Sequence, residues 1–174
     1  QKLQFIITTL HKPSFLILDE PFSGFDPINA NLLKDEILNL KKEGTTIILS
    51  THNMASVEEI CDEIVLINQA HKILEGNLFE VKNRFKKNIY LAEIEGFNEN
   101  LSAQVQTHFE LVKVPQQEHT TQYTVKIPEG STSNDLLQLL MQNSSIIGFE
   151  EILPSMNEIF IEQVETFNQQ SHHE

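Results

Sequence analysis

Three short apolar runs constrain this chain more than any other feature: "FLIL" at 15–18, "TTIILS" at 45–50 and "IVLIN" at 64–68. Continuous apolar stretches of that length are the mark of strands covered on both faces, as in a parallel sheet. The segments between them have helical signals. Asp26 followed by Pro27 offers a carboxylate N-cap and a proline at the first helical position. From there Leu33, Ile37 and Leu40 recur on one face, and Gly44 supplies a left-handed stop. "MASVEEICDE" predicts a second helix with Met54, Val57, Ile60 and Cys61 inward, and a hairpin to "KILEG" closes the series. Ahead of it all, Leu3, Ile6, Ile7 and Leu10 fall at helical spacing until Pro13 stops them. Strand and helix alternating in this way predict a doubly wound α/β sheet.

The pattern changes after the basic stretch "VKNRFKKN", which places a domain boundary near 84–89. "IYLAEIEG" reads as a strand, 100–109 as a helix, and "ELVKVPQ" and "TQYTVKIP" as two alternating strands. Thr132 and Asp135 have capping-box spacing ahead of "LLQLLM". A strand, "IIGFEEIL", and a last helix opened by Ser155 and Glu158 follow. The order βαββαβ predicts a ferredoxin-like α+β domain with an added C-terminal helix. The expected organisation is therefore residues 1–87, 88–166, and a disordered polar tail over 167–174.

Charge divides along the same line. Of 12 basic and 25 acidic residues, only 2 basic but 13 acidic side chains lie beyond residue 88. A half so acidic is repelled by phosphate backbones and anionic headgroups, so no nucleic-acid partner is expected. No apolar stretch approaches the roughly 20 residues that a membrane-spanning helix needs. A single cysteine, Cys61, excludes an internal disulfide and fits a reducing compartment. Among acids and on a helix face, it reads as a core residue and not as a nucleophile.

The candidate site is where "FLIL" ends in Asp19 and Glu20. Ligands of α/β sheets bind beyond the carboxyl ends of the strands. There one carboxylate can hold a hydrated Mg²⁺ on nucleotide phosphates, and its neighbour can accept a proton from an attacking water. Solvated acids at a strand end are the simple alternative. Taken singly, Asp26 is explained as a helix cap, His52 as a loop histidine, and His172 and His173 as solvated residues of the tail.

The constellation in order is more specific. "LILDEP", then "SGFDP", then "STHN" closing the next strand resemble the nucleotide-binding domains of ATP-binding-cassette (ABC) transporters over residues 1–87. Leu16 to Pro21 is similar to their Walker B strand, Ser23 to Asp26 to their D-loop, and His52 to their switch histidine. The resemblance implies a partial P-loop NTPase sheet, with ATP and Mg²⁺ as cofactors. Asp19 would hold the metal through water, Glu20 would polarise the attacking water, and His52 would contact the γ-phosphate. Ser23, Gly24 and Asp26 would face a second copy in a dimer. "LPSMNEIFIEQV" resembles the signature that ends drug- and antibiotic-exporter subunits of this family. The expected role is thus an ATPase subunit working with an integral-membrane permease, peripheral on the cytoplasmic face of the cell membrane.

None of the six glycines is followed by lysine, so the phosphate loop G-x-x-x-x-G-K-[ST] is absent, as are the family's signature and Q-loop. The chain is expected to be the C-terminal part of a longer protein and inactive alone. A soluble, non-transport cassette ATPase, and a non-enzymatic interaction module built on the acidic second half, are the alternatives.

Overall fold

The computed structural model describes residues 2–96, 99–113 and 120–171. They group into two compact units, Gln1–Phe79 with Met156–Glu174, and Glu80–Ser155.

The first unit opens with α1 (Lys2–Thr9) and β1 (Phe15–Asp19), followed by α2 (Pro27–Lys42) and β2 (Thr46–Ser50). Asp26 caps α2 at φ −68° and ψ 161°, its carboxylate accepting the Asn29 N–H. At the other end Gly44 takes φ +95°, a conformation that costs a residue with a Cβ, and its N–H returns to the Lys41 carbonyl at 3.0 Å. Strands β1 and β2 are parallel and in register from Phe15 opposite Thr46 to Asp19 opposite Ser50. Leu33 and Ile37 of α2 form a cluster with Ile60, against which Leu18, Ile47, Phe5, Phe22 and Phe25 pack.

Only one face of this strand pair is covered. Leu16 is 4% exposed, whereas Ile17 and Ile48 are 65% and 53% exposed. The expectation of strands buried on both faces is corrected accordingly, because α2 and its cluster lie on one side. Helix α1 differs too. Leu3, Ile6, Ile7 and Leu10 are exposed, and it is Phe5, off their stripe, that packs inward.

Next come α3 (Met54–Ile60), β3 (Glu63–Asn68) and β4 (His71–Asn77). The third strand of the predicted alternation does not extend β1–β2; it pairs antiparallel with β4 as a separate two-stranded sheet. The reason is local. Gln69 and Ala70 take φ of 48° and 63°, the paired left-handed angles of a two-residue hairpin turn.

After α4 (Leu78–Arg84), the second unit runs β5 (Ile89–Glu95), α5 (Glu99–His108), β6 (Glu110–Lys113), β7 (Thr120–Lys126), α6 (Ser133–Asn143) and β8 (Ile146–Ile152). Its sheet order is β6-β7-β5-β8, with every neighbouring pair antiparallel. This is the predicted ferredoxin-like βαββαβ arrangement. Ala92, Ile94, Tyr123 and Val125 of the central strands are sealed by Leu101 and Val105 of α5 and by Leu136 and Leu140 of α6. The buried Tyr123 satisfies its hydroxyl on Ser102 Oγ at 2.8 Å. The predicted capping box is present: the Thr132 hydroxyl accepts the Asp135 N–H, and the Asp135 carboxylate accepts the Thr132 N–H at 2.7 Å.

The last helix, α7 (Met156–Ser171), groups with the first unit. It carries helix through 167–171, where the sequence reading had placed disordered tail. His172 and His173, and the part of "ELVKVPQ" beyond Lys113, lie outside the described residues.

Candidate functional site

The parallel register brings the ends of β1 and β2 to the same level, so the acids after "FLIL" meet the polar residues after "IIL". Ser50 Oγ donates to Asp19 Oδ1. The Glu20 N–H donates to the Ser50 carbonyl at 2.9 Å, which continues the ladder one residue past the strand. Glu20 itself takes φ +42°, a left-handed conformation rare for a residue with a Cβ. That turn aims its carboxylate at the loop after β2.

There Glu20 is held at three points. Oε1 lies 2.7 Å from His52 Nδ1 and accepts the His52 N–H at 2.9 Å, while Oε2 accepts the Thr51 hydroxyl at 3.2 Å. The side chains of His52 and Glu20 are 87% and 37% exposed, so the pair is open to solvent. The His52 ring hydrogen bond, with support from its N–H, its charge and Thr51, holds the Glu20 carboxyl below its ordinary value against an opposing contribution from burial. Asp26 is also held low, chiefly by the Asn29 N–H that it accepts as helix cap.

Between Glu20 and Asp26 the chain makes two tight turns. The Ser23 N–H reaches the Glu20 carbonyl at 3.1 Å, the Phe25 N–H reaches Phe22 at 3.2 Å, and Gly24 takes φ +75°. Phe22 and Phe25 anchor this segment in the first unit's core, which leaves Ser23 and Gly24 outermost. An open groove of about 330 Å³ runs beside Asp19 and Glu20, walled by Gln4, Phe5 and Thr8 of α1.

Asp19, Glu20 and His52 are therefore brought to one place, and Asp26 stands at the start of α2 with its carboxylate engaged in capping. As a metal donor set, Asp19 with its hydroxyl neighbour suits a cation that keeps most of its waters and takes one carboxylate, as Mg²⁺ does. Among the described residues no group of three or more His, Cys, Asp or Glu side chains could enclose a metal ion. Cys61 is the half-buried C-cap of α3. Burial, then the charge of Asp62, raises its thiol pKa against Lys41, in keeping with an inert role. Ser50 and Thr51 were missed by the sequence reading, although the "ST" closing "TTIILST" in step with "DE" was the available signal.

A parallel strand pair ending in adjoining carboxylates, a histidine loop facing them, and a following ferredoxin-like unit compose the C-terminal region of an ABC-type ATPase. The comparisons with known proteins agree. The family described as "ATP-binding protein DrrA1-3-like, C-terminal domain" matches residues 76–164, just over half of the chain, and one described as "AAA domain, putative AbiEii toxin, Type IV TA system" matches residues 1–58. An uncharacterized ABC transporter ATP-binding protein of Alkalihalophilus pseudofirmus is 36% identical over 95% of this chain and 60% of its own length. Another, YhaQ of Bacillus subtilis, is 36% identical over 94% of this chain and 53% of its own. A fluoroquinolones export ATP-binding protein of Mycobacterium tuberculosis is 46% identical over 38% of this chain and 22% of its own. The chain belongs to the ABC transporter ATP-binding proteins with a DrrA1-3-like C-terminal domain. It spans little more than half the length of the first two relatives.

Proposed function

We infer that this chain is the C-terminal part of an ATP-hydrolysing subunit that powers export through a separate membrane permease. The observation that carries the reading is the meeting of Glu20 with His52, beside Asp19, beyond the carboxyl ends of two parallel strands. Mg²⁺, when bound with nucleotide, supplies Lewis-acid chemistry to the phosphates. Asp19 would hold it through water, with one carboxylate oxygen oriented by Ser50. Glu20, ionised at neutral pH, accepts a proton from the attacking water. The His52 ring would hydrogen-bond the γ-phosphate. Because that ring now occupies Glu20 Oε1, the two side chains part before each takes its own role.

Ser23, Gly24 and Asp26 form the turn that meets a second ATP-binding domain in a dimer. Residues 1–87 hold the ATPase portion and 88–166 an accessory domain. The exposed apolar faces of α1 and β1–β2 are covered by the rest of the ATPase domain, which also brings the phosphate loop. None of the described helices is long and apolar enough to cross a membrane. On this reading the subunit works peripherally, on the cytoplasmic face, against an integral-membrane partner. The export role of the mycobacterial relative supports the direction of transport.

The test is turnover in the longer protein. Glu20→Gln should lower ATP hydrolysis by about 10²- to 10⁴-fold while ATP still binds. Ordinary hydrolysis by that variant would remove the general-base assignment.

A further inference from the structure

Glu58 lies on α3, six residues after His52 in the chain. Its Oε1 accepts the backbone N–H of Met156 at 2.6 Å, across 98 residues of chain. Met156 opens α7, and the first N–H groups of a helix have no partner within it. A carboxylate there also sits at the positive end of the helix dipole. Glu58 is in effect a cap for α7 supplied from another element.

The rest of α7 is fastened as well. Met156 and Ile159 are each 1% exposed. Toward its far end the Phe167 ring lies 5.5 Å from that of His71, the first residue of β4, and Gln69 Nε2 of the β3–β4 turn donates to Asn168 Oδ1 at 3.3 Å. So α7 is a strap fixed at two points of the first unit, one of them Glu58.

The opposite end of α3 is tied to Glu20. Asn53 caps the helix, its Oδ1 accepting the Ser56 N–H at 3.1 Å, and its own N–H donates to Thr51 Oγ1 at 3.1 Å. Thr51 in turn donates to Glu20. Helix α3 has 7 residues, about 10 Å at 1.5 Å per residue, too short to bend between its two attachments.

We propose that Glu58 is a positioning residue: by taking the Met156 N–H it locks α3 against α7 and so sets where the His52 loop stands relative to Glu20. This rests on the reading of Glu20 and His52 as the reacting site. The C-terminal helix then acts on hydrolysis through α3 without touching nucleotide.

Amide hydrogen exchange followed by NMR in the 174-residue chain tests it without nucleotide, with Ile37 in α2 as reference. Glu58→Ala should speed exchange by about tenfold at Met156, whose N–H loses a charged acceptor, and by a comparable factor at His52, whose N–H keeps Glu20 as acceptor but sits on the loop that α3 no longer holds in place. Ile37 should stay within about twofold. Glu58→Gln, whose side-chain oxygen still accepts, should bring both sites back to within about threefold of the wild type. Should Glu58→Ala not fold, Glu58→Asp, which withdraws the carboxylate by one methylene, is read in its place. Faster exchange at Met156 with His52 unchanged overturns the proposal, as does an equal rise at Ile37 or a Gln variant no better than Ala. Failure here leaves Glu20→Gln turnover untouched, and failure there leaves this coupling standing, so the two readings are separable.

Discussion

Glu20 and His52 are 32 residues apart in the chain, and their Oε1 and Nδ1 atoms are 2.7 Å apart. The distance is set by two backbone facts. The register that puts Asp19 opposite Ser50 brings the two loops level, and the left-handed turn at Glu20 swings its side chain across to the other loop. A strand continuing straight would have sent that carboxylate to the opposite face of the sheet.

The turn at Glu20 carries a measurable cost. With φ at +42°, a residue with a Cβ loses about 1 kcal/mol relative to glycine. Glu20→Ala and Glu20→Gly both lack the carboxylate, so they differ mainly in this backbone preference. Glu20→Gly is expected to be the more stable by about 1 kcal/mol, against the usual order of the two residues. Urea unfolding at neutral pH checks it, and an alanine variant as stable as the glycine one would mean that the turn is unstrained.

Acid should loosen the fold in a defined window. Glu20, Asp26 and Asp135 all have carboxyl pKa values lowered by hydrogen bonds they accept, from His52, Asn29 and Thr132 respectively. A carboxyl more acidic in the folded state binds fewer protons there than when unfolded. The stability it adds is then fully present above the ordinary value and lost as pH falls through the folded value. With ordinary values of 4.5 for Glu20 and 3.8 for the two aspartates, unfolding midpoints should hold at neutral pH and decline below about 4.5. Asp135→Asn should flatten that decline, and a slope identical to the wild type would remove Asp135 from the account.

Much of the fold was legible because local and periodic signals agreed. Asp26–Pro27, Gly44 and the Thr132–Asp135 spacing each marked a helix end with its own chemistry, and the alternation in "TQYTVKIP" separated the sealed face of β7 from the open one. The errors of burial share one cause. An apolar run tells that a surface wants cover and is silent on whether this chain supplies it, which is why Ile17, Ile48 and the α1 stripe are exposed. At the site, Asp19, Glu20 and His52 were singled out by the resemblance that "LILDEP", "SGFDP" and "STHN" carry, and the structure brings Glu20 and His52 together. Thr51 as a partner of Glu20 depended on register, and Glu58 on a contact to a backbone N–H 98 residues away, which has no side-chain signature.

In the second unit the predicted costs follow from burial and capping. Leu140, sealed between α6 and the sheet, should lose about 2–5 kcal/mol of unfolding free energy when cut to alanine. Thr132→Ala, which breaks one half of the capping box, should lose about 1 kcal/mol. Denaturant titration ranks the two. A Leu140→Ala loss no larger than that of Thr132→Ala would contradict the packing described for α6.

ATP should not bind this chain alone. On the proposed reading, the site it carries is the acidic half of a phosphate site. Asp19 and Glu20 repel a triphosphate, the net charge of −13 adds to the repulsion, and the sequence has no G-x-x-x-x-G-K-[ST] loop to offset it. Isothermal calorimetry with Mg²⁺-ATP at micromolar concentrations is expected to show no saturable heat. Saturable binding would mean that the groove beside Asp19 holds nucleotide by contacts other than a phosphate loop.

The open face of β1–β2 gives the last expectation. Phe15, Ile17 and Ile48 stand exposed on one side of a two-stranded parallel sheet, and α1 presents Leu3, Ile6 and Ile7 to solvent. Apolar patches of this kind, next to unpaired strand edges, drive association. The chain should therefore self-associate as concentration rises, despite its charge. Ile17→Thr with Ile48→Thr keeps β-branched residues suited to the strands while removing apolar surface from the patch. Because both side chains are already more than half exposed, the double variant should change unfolding free energy by less than about 1 kcal/mol yet shift sedimentation toward monomer. Association unchanged by the pair would place the contact elsewhere, on the α1 stripe, where Ile6→Ser with Leu10→Ser is the next variant to weigh.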